Sequence, residues 1–252
     1  MLHADVLGTG PRLVLVHGFT QTRRSWGPAA ALLGASHELV LVDAPGHGRS
    51  GAVRADLWEG GRMIGEVGGR ADYLGYSMGG RFLLHLALDH PELVTRLVLV
   101  GATAGIEDLP ARMERRKGDS EWAELVLTEG VEAFLDRWLA GPLFRGLSPE
   151  AAGREARLEN TALGLASSLR LAGTGRQEPL WDRLSGLSMP VLLVVGAADD
   201  KFRAVAERMG EAIGDNASQA VIEGAGHAAH LEQPAAFADA VRTFLASASA
   251  SH

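Results

Sequence analysis

Residues 71–80 read ADYLGYSMGG, an apolar run that ends in a G-x-S-x-G pattern. The run Ala71 to Leu74 has the composition of a buried strand, and Ser77 to His90 has the pattern of a helix. A serine in so sharp a strand-to-helix turn needs flanking glycines, because side chains there would collide with neighbouring backbone. The pattern predicts that Ser77 presents its hydroxyl above a sheet. A serine before a helix is also commonly a simple N-cap.

Two partners for Ser77 follow it in the expected order. A serine hydroxyl becomes an effective base or nucleophile only when a histidine takes its proton, and that histidine needs an acid to hold its tautomer. His227 lies in a glycine-rich loop after the short predicted strand Gln219 to Ile222, and Asp199 follows the predicted strand Val191 to Val195. Carboxyl ends of parallel strands meet at the edge of a sheet where ligands bind. We therefore predict a catalytic triad.

Each partner also has an ordinary structural explanation. His227 could be a surface-loop histidine, and Asp199 could be a helix N-cap. Asp200 is a further alternative for the acid, because a sequence pattern does not separate adjacent carboxylates on one loop. We rank Asp199 first.

The rest of the chain repeats the alternation of strand and helix. The further strand-like runs are Arg12 to Val16, Leu39 to Val42 and Arg96 to Val100. Helix-like stretches such as Val205 to Ile213 follow them, and Phe237 to Leu245 resembles a closing amphipathic helix. This order predicts an α/β fold with a mostly parallel sheet and helices on both faces. The tail, residues 246–252, is expected to be frayed.

Residues 105–188 have a different pattern, with several amphipathic helical segments and no convincing strand. The strand pattern resumes at Met189. We therefore predict a helical cap over residues 105–188, inserted into a core made of residues 1–104 and 189–252.

Composition limits the function. The 252 residues carry 46% apolar side chains and a formal charge of -7, with a pI near 5.7, which argues against nucleic-acid or membrane binding through a basic face. The absence of cysteine excludes disulfides, thiolate nucleophiles and cysteine-ligated metals. No secretory signal pattern and no apolar run near the ~18 residues of a membrane span are present. We expect a cytoplasmic monomer or homodimer that acts on a small molecule.

The residues LVHGF at 15–19 end another predicted strand, where a backbone N–H can complete an anion-binding cavity. The amides of Phe19 and Met78 are the candidate oxyanion donors. His17 and His47 are expected to order their loops through hydrogen bonds.

Together these residues resemble the α/β-hydrolase superfamily across nearly the whole chain. The motifs that carry the resemblance are His17-Gly18-Phe19, Asp43 to Ser50, Gly75 to Gly79 and Gly224 to His227. The resemblance implies the α/β-hydrolase fold. It does not set the reaction, because this fold hosts esterases, lyases, dehalogenases and peroxidases.

A narrower resemblance is to the menaquinone-pathway family 2-succinyl-6-hydroxy-2,4-cyclohexadiene-1-carboxylate synthase. The segments that carry it are GYSMGGR (75–81), GATAG (101–105), DDKFR (199–203) and GHAAHLE (226–232). That family removes pyruvate from an enolpyruvyl cyclohexene intermediate, with the triad serine as the base and without a cofactor. The resemblance implies a lyase with a polycarboxylate substrate and no metal.

The resemblance also implies the substrate-binding residues. Arg81, one helical turn after Ser77, matches a family arginine, and Arg115 and Arg157 match two more. Arginine suits this role because its planar fork holds a carboxylate through two hydrogen bonds. Arginines on amphipathic helices also commonly solvate an outer face. The other implied substrate-binding positions are Tyr76, Trp138 and Phe144.

One segment departs from the family pattern. Between Ser50 and Ala71 the chain is shorter than in typical members and rich in glycine. Glycine weakens a helix by up to about 1 kcal/mol per residue. We therefore expect the helix before the predicted nucleophile strand to be short or irregular, which would reshape one wall of the pocket.

Three functions are compatible with these patterns. The first is pyruvate elimination. The second is hydrolysis of a carboxylic ester, with Ser77 as the nucleophile. The third is a catalytically silent fold that binds a ligand, which is less favoured because a receptor needs no base behind its serine.

Overall fold

A computed structural model describes residues 1–247 of the chain. Its strands are β1 (Ala4–Leu7), β2 (Arg12–Val16), β3 (Glu38–Val42), β4 (Ala71–Tyr76), β5 (Val94–Val100), β6 (Val191–Gly196) and β7 (Ala217–Ile222). They form one sheet in the order β1-β3-β2-β4-β5-β6-β7. Strand β1 runs antiparallel to β3, and the other neighbouring pairs are parallel. The expected frayed tail extends into residues 248–252, which lie outside the described residues.

The strands that the apolar runs predict are all present, extended by one to two residues at an end or matched outright. Strand β1 has no counterpart in the sequence analysis. Its four residues are half-buried or exposed, so they carry no continuous apolar run. It is held instead by its antiparallel pairing with β3 at the edge of the sheet.

Helices cover both faces of the sheet. On one face lie α2 (Leu57–Gly68), α3 (Met78–Asp89) and α8 (Asp200–Ile213), and on the other lie α1 (Gly27–Gly34), α9 (Ala229–Glu232) and α10 (Pro234–Ser247). Alternate residues of a strand serve the two cores, because successive side chains point to opposite faces. In β2, Val14 packs in the core that contains Phe82, whereas Leu15 packs in the core that contains Trp26.

The chain between β5 and β6 is helical, as expected. It forms α4 (Leu109–Leu139), α5 (Pro149–Ala152), α6 (Arg154–Arg157) and α7 (Ala162–Ala172). We call residues 109–172 the helical segment. Helices α4 and α7 share a small core of their own around Phe134 and Leu165, and α4 bends at Gly130, where φ is 82°. The division into a cap and a core domain stays a prediction. Within residues 1–247, no helix has the length and apolar character to cross a membrane.

The expectation of a short or irregular helix before β4 is wrong. Helix α2 runs for 12 residues, begins at the N-cap Asp56 and ends at Gly69, whose φ is 67°. Three of its glycines, Gly60, Gly61 and Gly65, face α3: a Cβ on Gly61 would lie 2.9 Å from the carbonyl oxygen of Phe82, and one on Gly65 would lie 2.7 Å from Leu86 Cδ1. The glycines therefore allow the two helices to pack closely, and that packing outweighs their low helix propensity.

Candidate active site

Ser77 occupies the turn between β4 and α3 alone. Its φ of 51° and ψ of -106° form a backbone conformation that residues with a side chain rarely adopt. A Cβ on Gly79 would collide with the carbonyl oxygen of Val16, and one on Gly75 would lie 2.6 Å from the nitrogen of Gly80. The flanking glycines are therefore required by close backbone contacts, as the sequence pattern indicates.

His227 lies between Ser77 and Asp199. Its Nε2 is 3.3 Å from Ser77 Oγ, and its Nδ1 is 2.7 Å from Asp199 Oδ2. With the proton on Nδ1, His227 donates to the carboxylate and its Nε2 accepts from the serine hydroxyl. The Ser77 side chain makes no N-cap hydrogen bond to α3. The Asp200 side chain is 93% exposed and pairs with Arg203, so of the two adjacent carboxylates it is Asp199 that contacts the histidine.

Glu232 holds the loop that carries His227. Its Oε2 accepts the N–H of Gly226 at 2.8 Å, and its Oε1 accepts the N–H of Ala228 at 3.0 Å. The imidazole ring packs against the ring of Phe202, with centroids 4.4 Å apart. Glu232 has no predicted role from the sequence, because the pattern around it does not show that its carboxylate folds back onto the amides of Gly226 and Ala228.

Phe19 and Met78 line the pocket beside Ser77. No acceptor for either backbone N–H lies within residues 1–247. Gln21, which the sequence analysis missed, accepts the N–H of Gly18 at 2.9 Å and so fixes the loop that carries Phe19. Two unpaired amides next to a strained serine form a suitable site for an oxygen that becomes negatively charged.

His17 and His47 are buried and order the neighbouring loops, as expected. His17 Nε2 accepts the N–H of Ala44 at 3.1 Å, and its Nδ1 donates to the carbonyl of Gly18 at 2.8 Å. His47 Nε2 accepts the N–H of Thr20 at 3.3 Å. Burial lowers the pKa of His17 to about 4 and the pKa of His47 to about 3, so both rings are neutral at pH 7.

A pocket of about 920 Å³ opens at Ser77, between the edge of the sheet and the helical segment. A recess of about 30 Å³ adjoins it. The residues that line both spaces are Phe19, Ser77, Trp138, Leu143 and His227. The serine and histidine therefore face the two spaces at once.

Arg157, on α6, lines the recess and is only 1% exposed. Its Nε donates to the carbonyl of Ala152 at 2.7 Å, and its Nη1 donates to the hydroxyl of Thr20. Its guanidinium lies 5.9 Å from the centroid of the Phe144 ring. Burial lowers the pKa of Arg157 to about 10, and no carboxylate within residues 1–247 forms an ion pair with it. The recess thus contains a buried cation without a counter-charge from the described residues.

The other two predicted arginines border the main pocket. Arg81 is buried, donates to the carbonyl of Ala172 at 2.8 Å and has no ion-pair partner within the described part of the chain. Burial lowers the pKa of Arg81 to about 10, and it remains positive at pH 7. Arg115 differs, because its side chain is 42% exposed and its Nε donates to Asp119 at 2.7 Å.

The aromatic positions that the resemblance implies also reach the site. Tyr76 and Phe144 line the recess, and Trp138 lines both spaces. The Tyr76 ring packs against His227 with centroids 5.4 Å apart, and burial raises the pKa of its hydroxyl. The indole Nε1 of Trp138 is buried and has no acceptor among residues 1–247.

A model of the alpha/beta hydrolase family matches residues 13–240. The chain belongs to this family. It is 33% identical to the 2-succinyl-6-hydroxy-2,4-cyclohexadiene-1-carboxylate synthase of Enterobacter sp. (strain 638), over 90% of this chain and 89% of that protein. The solved structure of MenH from S. aureus matches with a TM-score of 0.91 and 27% identity, covering 99% of this chain and 100% of that chain. A thermophilic esterase from Thermogutta terrifontis shares the fold, with a TM-score of 0.82, 24% identity and coverage of 98% and 93%.

The family match confirms the fold class expected from the sequence. The synthase relative, which extends over most of both chains, confirms the narrower resemblance. The roles of the site residues of this α/β hydrolase stay predictions.

Proposed function

We propose that this chain is a 2-succinyl-6-hydroxy-2,4-cyclohexadiene-1-carboxylate synthase, a lyase that eliminates pyruvate from 2-succinyl-5-enolpyruvyl-6-hydroxy-3-cyclohexene-1-carboxylate. The observation that carries the proposal is the pair of buried guanidinium groups, Arg81 in the pocket and Arg157 in the recess, without ion-pair partners in residues 1–247. An uncompensated buried charge costs several kcal/mol. A substrate with carboxylates on its ring, succinyl and enolpyruvyl groups supplies the missing charge.

In this reaction Ser77 acts as the base and His227 receives the serine proton. As the Ser77 oxygen removes a ring proton beside the ring alkene, the released electron pair forms a double bond to the nearer alkene carbon. The π pair of the original alkene moves one bond along the ring and expels the enolpyruvyl oxygen, so the ring becomes a conjugated diene. The imidazolium of His227 returns a proton to the leaving enolate, which becomes pyruvate, and the proton taken from the ring stays on Ser77. Asp199 stabilises the imidazolium while it is charged, through the 2.7 Å contact to Nδ1.

Negative charge develops on substrate oxygens during this sequence. The unpaired amides of Phe19 and Met78 lie beside Ser77 and suit that charge, because they need no reorganisation to donate. Arg81 and Arg157 add fixed positive charge in a partly enclosed site, where electrostatic interactions are stronger than in water. The chain's own residues thus provide the base, the proton carrier and the charge stabilisation.

Pyruvate release tests the proposal directly. Purified protein is supplied with the enolpyruvyl intermediate, and pyruvate is followed through the oxidation of NADH by lactate dehydrogenase. We expect turnover by the wild type and almost none by Ser77→Ala. A wild-type protein that releases no pyruvate from the pure intermediate contradicts the proposal.

Hydrolysis of a carboxylic ester is the second candidate. It is favoured by the strained Ser77 next to two unpaired amides, since acyl transfer needs the same nucleophile and oxyanion donors. A neutral p-nitrophenyl ester is assayed in parallel with the enolpyruvyl intermediate. Efficient ester cleavage without pyruvate release would support ester hydrolysis as the function and contradict the proposed lyase.

A further inference from the structure

Asp119 is a buried carboxylate in the wall of a pocket that also contains Arg81, Arg145 and Lys201, none of which forms an ion pair within residues 1–247. It lies on α4, one turn after Arg115, and its side chain is 3% exposed. Its negative charge opposes the binding of an anionic substrate. Its presence there therefore needs a reason, and its contacts provide one.

The two oxygens of Asp119 join separate parts of the pocket wall. Oδ1 accepts the Nε–H of Arg115 at 2.7 Å, and Oδ2 accepts the N–H of Gly175 at 2.9 Å. Gly175 lies in the loop after α7, so the carboxylate links α4 to that loop. A Cβ on Gly173 would lie 2.6 Å from Oδ2, so this close approach needs a residue without a side chain.

Arg115 needs such a contact to hold one position. Its side chain is 42% exposed and long, and an unrestrained arginine of this kind occupies many rotamers. Asp119 engages only Nε, and no partner for Nη1 or Nη2 lies within residues 1–247. These two terminal groups form an edge of the guanidinium that binds a carboxylate through two parallel hydrogen bonds.

We propose that Asp119 is a positioning residue that holds the Arg115 guanidinium so that its terminal edge meets a substrate carboxylate. The proposal rests on the proposed function, in which the substrate is a polycarboxylate. The order that Asp119 imposes on Arg115 outweighs the repulsion between its own charge and the substrate. A purely electrostatic role for Asp119 has the opposite sign, because removal of a negative charge would then improve binding.

The sign of the change in KM separates these two roles. Asp119→Asn keeps the shape and one acceptor but removes the charge. We expect KM for the enolpyruvyl substrate to rise about threefold to tenfold, with kcat within about twofold of wild type. An unchanged or lower KM overturns the proposal.

A double-mutant cycle shows whether Asp119 acts through Arg115. In the Arg115→Ala background, Asp119→Asn should no longer raise KM, because no guanidinium is left to position and only the repulsion between Asp119 and the substrate is removed. Equal effects in the two backgrounds overturn the proposal. Glu124→Gln is the matched control, since Glu124 on the same helix pairs with the exposed Arg170. It should leave KM unchanged, and an equal rise in this variant would also overturn the proposal.

Binding of succinate, measured by calorimetry, separates failure of this proposal from failure of the proposed function. If the wild type releases no pyruvate but Asp119→Asn weakens succinate binding only when Arg115 is present, the positioning role stands and the lyase does not. If Asp119→Asn binds succinate as tightly as wild type, the positioning role fails whatever the reaction.

A measurement on the wild type covers the case in which Asp119→Asn does not fold. The Nε–H resonance of Arg115 is assigned by its loss in Arg115→Lys. We expect a signal separate from those of exposed arginines and slow to exchange with water. A signal that coincides with the exposed arginines and exchanges as fast overturns the proposal.

Discussion

The edge of the sheet and the helical segment meet at the same pocket, but different forces shape them. At the edge of the sheet, Ser77 is held at a φ of 51° by close backbone contacts, and His227 lies 3.3 Å from it. The helical segment instead places charge: Arg157 is buried without a counter-ion among residues 1–247, and Arg115 is restrained by one carboxylate. The proposed chemistry thus lies where the backbone is tightly constrained, and the proposed selection of the substrate lies where charge is left unbalanced.

The largest expected losses lie at the edge of the sheet. Ser77→Ala and His227→Ala should each lower turnover roughly 10³-fold or more, because either change removes the proton-transfer unit. The double variant should be barely worse than either single one. Pyruvate release measures the loss, and circular dichroism checks that the fold is kept. Additive losses would show that the two residues do not act together.

Adjacent carboxylates provide a sharper test of the same region. Asp199→Asn should lower turnover on the order of 10²- to 10³-fold, since it no longer stabilises the charged histidine. Asp200→Asn is the matched control, because its exposed side chain does not contact His227. Turnover by Asp200→Asn should stay within about twofold of wild type. The opposite ranking would transfer the role of the acid to Asp200.

The arginines test whether charge selects the substrate. Arg81→Ala, Arg115→Ala and Arg157→Ala should each cost roughly 2 to 4 kcal/mol in kcat/KM for the elimination, and far less with a neutral p-nitrophenyl ester. Replacement by lysine should recover only part of the loss.

Arg154→Ala is the control for this series, because Arg154 lies on the same helix as Arg157 but pairs with Asp136 at the surface. It should leave the elimination unchanged. Full elimination activity in all three arginine variants would contradict the proposal that these charges select the substrate.

Acid should destabilise the fold through buried histidines that become protonated on unfolding. These histidines lie outside the helical segment, which contains none. Burial lowers the pKa of His230 to about 3, and no partner for either ring nitrogen lies within residues 1–247. The unfolded state binds a proton near pH 6.5, so the stability contributed by the neutral ring is complete above that pH and is lost as the pH falls toward 3. His230→Phe should reduce this loss by about 1 kcal/mol per pH unit. Urea unfolding at pH 7 and pH 5 measures it, and an unchanged difference between the two would count against the prediction.

The smallest expected effects compare one glycine from each region. Gly61→Ala should destabilise the protein by about 1 kcal/mol or more, because the added methyl meets the backbone of Phe82 and Leu86 at 2.9 and 3.0 Å. Gly118→Ala, in α4, should stabilise it by about 0.5 to 1 kcal/mol, since its Cβ would meet nothing within 4 Å. Thermal melts compare the two variants. Changes in Tm of the same sign would show that the difference in packing around Gly61 and Gly118 does not decide the effect on stability.

Local patterns in the sequence were sufficient for the fold and for much of the site. Apolar runs predicted β2 to β7, and the glycines around Ser77 predicted the strained turn, because both features depend on neighbours along the chain. The order of Ser77, Asp199 and His227 predicted that the three meet, since each follows a strand of one parallel sheet.

Tertiary structure decided what depends on residues far apart in the chain. It buried Asp199 against His227 and left Asp200 exposed, and it packed glycines of α2 closely against α3. It also buried Arg157 with no counter-ion in the described part of the chain. It also brought Asp119 to Gly175, a contact between residues that share no local pattern. The physical reason is that periodicity and turn chemistry act over a few residues, whereas burial, close packing and ion pairing are set only when distant segments meet.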